Sequence, residues 1–169
     1  MQSIALVKFL AIIDDLIDKE KTMLGLIQRA SSASVSIDNH IVGQINRGIV
    51  LLLGVEKNDT IAQADQLLQK ILNYRIFNDN SGKMNLSLQD IGADLLIVSQ
   101  FTLAADTRKG LRPSFSSAAP PEQAKILYEH FLEQAKNCHN GAVASGHFGA
   151  DMQVSLCNDG PVTFMLNSN

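Results

Sequence analysis

Two short segments hold residue types that could do chemistry: Ser99-Gln100-Phe101-Thr102-Leu103 and Asn158-Asp159-Gly160-Pro161-Val162-Thr163. Ser99 and Thr102 carry hydroxyls that could attack a carbonyl carbon, but a hydroxyl needs a base to activate it and the sequence points to none. Read locally, both are good strand residues whose hydroxyls satisfy nearby backbone. Gly160-Pro161 reads either as an ordinary turn or as a rigid, donor-poor element whose carbonyls point into a site. The local sequence leaves that pair of readings open. An enzyme built from these segments would work mainly with main-chain groups in a shaped pocket.

Other catalysts find little support. His40, His130, His139 and His147 show no metal-ligand spacing, so no metal is expected. No glycine-rich phosphate loop follows a strand, and no G-x-S-x-G elbow surrounds Ser99, so no cofactor is expected either. The net charge of -3 argues against broad electrostatic wrapping of nucleic acid, while leaving room for contact with one end of an RNA. Cys138 and Cys157 are too few for a disulfide framework, which points to a reduced, cytoplasmic setting. No stretch is long and apolar enough to span a bilayer.

These segments must be positioned by the elements around them. At 169 residues, 46% hydrophobic and 18% charged, the composition is globular and long enough for one domain with a real core. Residues 1–22 read as an amphipathic helical extension, with Ile4, Val7, Leu10, Ile13 (or Asp14) and Ile17 roughly on one face, or as an upstream start placed before Met23. Lys8 interrupts the apolar run and acidic residues follow, which is not the pattern of a signal peptide.

From Met23 the pattern becomes strand-like. Residues 24–30 form an apolar run, and residues 34–38 and 41–45 alternate around a hairpin at Asp38-Asn39-His40. Residues 48–55 read as a buried strand. Thr60 and Gln63 have capping-box spacing ahead of a helix whose stripe is Ile61, Leu67, Leu68, Ile71 and Leu72. A short strand is expected at 74–77, and the strongest central strand at 94–103.

Residues 104–119 form a long loop, the kind that often carries function. In it Arg108, Lys109 and Arg112 read equally as phosphate contacts or as a solvated surface. Pro120-Pro121 opens a second helix with Ala124, Leu127, Tyr128, Phe131 and Ala135 on its face. Strands at 151–158 and 162–166 flank Gly160-Pro161. The sum is an α+β fold, its β-rich sandwich or barrel-like sheets carrying two main helices on one side. Residues 23–169 make a single domain, and its strand edges invite pairing with a second copy.

Taken together, the segments resemble the D-aminoacyl-tRNA deacylase family (the D-tyrosyl-tRNA deacylases), which hydrolyse the ester between a D-amino acid and tRNA. The stretches that carry the resemblance are LIQRASSASV (26–35), GVEKNDT (54–60), KILNYRIFND (70–79), GKMNLS (82–87), SQFTLAADTRKGLRPSF (99–115), FGADMQV (148–154) and NDGPVTFML (158–166). They run in the family's order through nearly all of residues 23–168.

The resemblance implies a homodimer with active sites at the subunit interface, acting on the aminoacylated 3' end of tRNA. It assigns Ser99, Gln100, Phe101 and Thr102 to the catalytic pocket, with main-chain amides as an oxyanion hole. It matches Gly160-Pro161 to a Gly-cisPro motif that enters the other subunit's pocket and rejects L-amino acids. Arg29 matches an arginine near that motif. Phe148, Gly149 and Met152 match a region near the terminal adenosine, although periodicity alone makes Met152 equally a core residue. Ala104 departs from the aromatic or polar residue common at its position.

The implied mechanism is physically economical. An aminoacyl ester is already activated, and one oxyanion donor contributes about 2.7–4 kcal/mol to the transition state. The tRNA's own 2'-hydroxyl could assist the attacking water. Rejection by rigid backbone around the α-carbon would work for any L side chain, and glycyl-tRNA, having none, should also be cleaved. Two competing readings remain: Thr102 as a covalent nucleophile in an ester hydrolase, and a non-catalytic interaction module on the same fold.

Overall fold

One strand, β1 (Leu24–Ile37), is the spine on which the sheet is assembled in the computed structural model, which describes residues 22–108 and 110–168. The expected N-terminal helix and Lys109 therefore lie outside the described residues. A two-residue turn at Asp38-Asn39, with φ of 49° and 65°, sends the chain back as β2 (His40–Ile45). Positive φ at both residues is the backbone that matches the twist of a tight hairpin. β3 (Gly48–Gly54) then continues along the lower half of β1, Ala30 opposite Gly48 and Leu24 opposite Gly54.

The other edge of β1 pairs with β8 (Gln153–Asn167), while β6 (Asp94–Ser99) and β7 (Val143–Ser145) extend the sheet beyond β3 in parallel. A Cβ placed on Gly43 of β2 would stand 2.7 Å from the Ser145 carbonyl oxygen. β2 therefore lies against β7, and the sheet curls towards a barrel.

Two helices cover one face. α1 (Ile61–Asn73) starts at the expected capping box, where Thr60 and Gln63 satisfy each other's backbone N–H groups. α2 (Leu88–Ile91) is a single capped turn, and α3 (Pro121–Cys138) buries Ala124, Leu127, Tyr128, Phe131 and Ala135 as the stripe requires. Ile27, Leu51, Leu53, Leu67, Ile71 and Phe131 meet in the core between sheet and helices. Each such side chain contributes about 1.5–3 kcal/mol by leaving water. Val35, Val50, Leu96 and Val98 form a second core on the inner side of the curl. The α+β expectation with two main helices on one side is met.

Three expectations need correction. The strand foreseen at 94–103 ends at Ser99, and residues Phe101–Ala104 form a 3-10 turn. Its neighbour β3 ends at Gly54; Gln100 N–H makes a last bond to the Leu53 carbonyl at 2.7 Å, after which no ladder remains. The short strand lies at Phe77–Asn78 rather than at 74–77, because Tyr74 is still capping α1 through a bond to Ile71. It pairs as β4 with β5 (Met84–Leu86). Finally, Gly160-Pro161 is neither an end nor a turn between strands: it lies in a bulge of β8, between the pairs Ala30–Asn158 and Gln28–Thr163.

Candidate active site

The parallel strands β6 and β7 end side by side, and several candidate residues follow those ends. Ser99 is half-buried at the end of β6; Phe101 is 60% exposed and Thr102 is open to solvent. Gln100 Nε2 donates to Thr102 Oγ1 at 2.6 Å, which orients the threonine hydroxyl. In the turn, Leu103 N–H donates to the Gln100 carbonyl and Ala105 N–H to that of Thr102. The first N–H groups of such a turn, those of Phe101 and Thr102, have no carbonyl within it to donate to. Gly54 makes the turn's position possible, since a Cβ there would lie 3.0 Å from Leu103 Cβ and 3.3 Å from the Gln100 carbonyl oxygen.

The chain leaving β7 comes to the same place. Gly146 N–H donates to the Ile97 carbonyl at 3.1 Å. The Tyr128 hydroxyl is within 3.1 Å of the Ile97 carbonyl oxygen and 3.3 Å of that of Gly146, and so ties α3 to both strand ends. Burial pushes this phenol up to about 12, so it stays a neutral donor. The Phe148 ring packs on Tyr128 with centroids 5.7 Å apart. Gly149 is exposed with φ of 76°, and Met152 packs half-buried on the inner core. Ser99 to Thr102 and Phe148 to Met152 are thus brought to one end of the sheet.

Arg29 and Gly160-Pro161 form a second locus. Arg29 is 8% exposed on the helix-facing side of β1, an unusual burial for a guanidinium that requires partners. Its Nε donates to the Asp159 carbonyl at 2.8 Å and lies 3.3 Å from the Asp159 carboxylate. Its Nη1 donates to the Ile76 carbonyl at 2.7 Å and lies 3.3 Å from Asn78 Oδ1. Across the bulge, Asn158 Oδ1 accepts from Val162 N–H at 2.7 Å, and Asn158 Nδ2 donates to Thr163 Oγ1 at 2.9 Å. Gly160 has φ of 147°, which suits glycine, and its bond to Pro161 is cis. Asp159, Gly160 and Pro161 all face solvent.

The two loci do not meet within one chain. Ser99 pairs with Leu53, Leu53 with Gly25, and Gly25 with Leu166, so three strand spacings separate β6 from β8. That is about 14 Å across the sheet, with a further 13 Å or so along β1 from Gly25 to Arg29. Sequence reasoning did not foresee Ile76, Asn78 and Asp159 as partners of Arg29, nor Gly54 as the seat of the 3-10 turn. The only local signal was the placement of a charged residue inside the apolar alternation of β1.

The remaining titratable groups lie elsewhere. Arg108 is tied to Asp106 through two side-chain bonds of 3.0 and 2.9 Å, and Arg112 is exposed. His130 pairs with Asp65 between α3 and α1, and His139 Nε2 lies 2.7 Å from the Ala93 carbonyl oxygen. Among the described residues no cluster of three or more His, Cys, Asp or Glu could hold a metal ion. No described helix is long and apolar enough to cross a membrane. An open groove of about 620 Å³, lined by Ser32, Ser34, Gln44 and Ser155, reaches Asp94, at the opposite end of β6 from Ser99.

Comparison with known proteins agrees across most of the chain. Residues 26–167 match the family described as D-Tyr-tRNA(Tyr) deacylase. The chain is 66% identical over 144 residues to a D-aminoacyl-tRNA deacylase from Pseudoalteromonas translucida, spanning 85% of this chain and 99% of that one. It is 60% identical over 144 residues to one from Cellvibrio japonicus, spanning 85% and 98%. A solved structure described as c-Myc DNA Unwinding Element Binding Protein superposes with a TM-score of 0.82 at 42% identity, over 86% of this chain and 99% of that one. Another, described as a "probable eukaryotic D-amino acid tRNA deacylase", gives 0.77 at 18% identity over the same shares, a likeness of fold.

Proposed function

The chain belongs to the D-aminoacyl-tRNA deacylase family and is a hydrolase of that class; from this premise we propose how its two loci divide the work. The turn after β6 holds the ester, and Gly160-Pro161 of a second copy inspects the α-carbon. The observation that carries this reading is the separation just described. Two loci more than a strand's width apart cannot both touch one aminoacyl group, whose reacting atoms must be held within about 3–3.5 Å. A homodimer pairing the two loci across its interface supplies both, and exposed Phe101, Thr102, Gly160 and Pro161 are free to meet there.

In this reading the amides of Phe101 and Thr102 receive the developing oxyanion, an arrangement effective because it is preorganised. Ser99 and Gln100 shape the pocket, and Gln100 fixes the rotamer of Thr102. Water attacks the ester carbon with help from the 2'-hydroxyl of the terminal ribose, releasing free D-amino acid and tRNA. An amide N–H cannot take a proton, so the Gln100–Thr102 bond favours an orienting role for Thr102 over a nucleophilic one. Phe148, Gly149 and Met152 receive the terminal adenosine, and Arg112 lies beside the path of the acceptor end. The protein works on tRNA in the cytoplasm, its domain is residues 23–169, and it clears glycyl-tRNA as well.

The test is a deacylation assay on purified protein. D-tyrosyl-tRNA should be hydrolysed and L-tyrosyl-tRNA spared; equal rates on the two would refute stereospecific proofreading.

A further inference from the structure

The guanidinium of Arg29 is gripped from two directions, and only one of them is the bulge it supports. Nε serves Asp159; Nη1 is turned away, to the Ile76 carbonyl at 2.7 Å and Asn78 Oδ1 at 3.3 Å. The segment offering those acceptors is itself firmly tied down. Phe77 is fully buried, Arg47 sits over its ring at 5.4 Å, and it pairs with Leu86 of β5, which packs on the core.

The turn that follows is clasped by one carboxylate. Asp79 Oδ1 accepts from Ser81 N–H at 2.8 Å, Ser81 Oγ at 2.7 Å and Lys83 N–H at 3.0 Å, while Oδ2 accepts from Asn85 Nδ2 at 2.7 Å. These bonds hold the Asp79 carboxyl well below the usual carboxylate range. A surface hairpin of two short strands has little stability of its own, so this anchoring needs a reason.

We propose that the β4–β5 hairpin, through Asn78 and the Asp79-clasped turn, is a positioning device for the chirality filter: it fixes Arg29 from behind so that Arg29 can fix Gly160-Pro161. This rests on the reading above that Gly160-Pro161 rejects L-substrates. The chain of contacts runs from the Asp79 turn to Asn78 and Ile76, then to Arg29, then to Asp159 and the bulge. Without Asn78 Oδ1, Nη1 keeps only the Ile76 carbonyl, the guanidinium gains freedom to rotate about that single rear contact, and the bulge loses part of its fixed support. A filter made of backbone discriminates by sub-ångström placement, so selectivity should fall before activity does. In this reading Asn78 and Asp79 act through Arg29 and the turn, as specificity-determining positioning residues.

The experiment measures kcat/KM for D- and L-tyrosyl-tRNA in Asn78→Ala, Asp79→Ala, Asn78→Asp and Pro161→Ala, each well below its melting temperature. Asn78→Ala and Asp79→Ala should each raise the L:D ratio, by about 3- to 10-fold, with kcat on the D-substrate changed less than 2-fold. Asn78→Asp keeps an acceptor facing Nη1 and should restore the wild-type ratio. A merely structural role would lower melting temperatures and leave the ratio alone, and that result overturns the proposal. Should Asp79→Ala fail to fold, Asn78→Ala with an unchanged ratio is sufficient to overturn it. If Pro161→Ala itself leaves the ratio unchanged, the filter reading fails and this proposal with it; if only Pro161→Ala moves it, this proposal alone fails.

Discussion

Arg29 Nε donates to the main-chain carbonyl of Asp159 at 2.8 Å, so a buried side chain on β1 holds the backbone on the near side of Gly160-Pro161. Two residues that sequence places 130 positions apart, both in the second locus, become one mechanical unit. Arg29→Lys tests that unit. A lysine is a point donor without the planar fork, and cannot serve Asp159 and Ile76 together. One acceptor then loses a charged hydrogen bond, with a cost of about 1.5–3 kcal/mol. Thermal melts should show the loss, and the rate on L-tyrosyl-tRNA should rise relative to the D-isomer.

Thr102→Val separates a lining residue from a nucleophile. Valine keeps the β-branched shape and removes only the hydroxyl that accepts from Gln100. Single-turnover deacylation of D-tyrosyl-tRNA should slow by about 10-fold or less, the loss of one oriented contact. A fall to the uncatalysed rate would instead establish Thr102 as the attacking group.

Gly54→Ala acts on the site from beneath. The added methyl would press on Leu103 Cβ at 3.0 Å and on the Gln100 carbonyl at 3.3 Å, lifting the turn that presents Phe101 and Thr102. Displacement of a catalytic turn by a fraction of an ångström is costly to rate, up to about 100-fold for a full ångström. The expected result is a lower kcat with melting temperature and KM nearly unchanged. Loss of the folded protein in place of that split would show Gly54 to be structural.

How much of this was legible follows from the range of the interactions involved. The α1 capping box needs only Thr60 and Gln63, and the hairpin only Asp38 and Asn39, so local pattern sufficed. The face of α3 was legible for the same reason, since its period is internal to the helix. The end of β6 was not, because it depends on where β3 stops, some 45 residues upstream along the paired ladder. Arg29 was legible only through the family resemblance. Its burial is decided by acceptors on β8 and at 76–78, which no window around residue 29 contains. The motifs after β6 and in β8 were visible through family resemblance, whereas local pattern alone read the first as plain strand and left the second open between a turn and a rigid site element.

Asp59 is 5% exposed, and among the described residues one of its carboxylate oxygens, Oδ1, has no hydrogen-bond partner. The other oxygen accepts from Glu56 N–H at 2.7 Å, and the Met23 N–H approaches the same carboxyl. Burial nonetheless raises its pKa, because these bonds compensate desolvation only in part. In a chain starting at Met23, that N–H becomes an α-ammonium group with more donors and a full charge facing Asp59. The sign of Asp59→Asn should therefore differ between the two chains. In the full chain it removes a poorly solvated charge, so stability at neutral pH should hold or rise. In the chain starting at Met23 it leaves a cation unpaired, and Tm should fall by about 2–4 °C for each kcal/mol lost. Pairing raises the folded-state pKa of the amine above its unfolded value of about 7.7–8.0. The gain is thus complete below that value and disappears as pH rises through the folded pKa. Melting curves of the four proteins from pH 6 to about 10 decide it, and parallel curves would show that the amine and Asp59 do not interact.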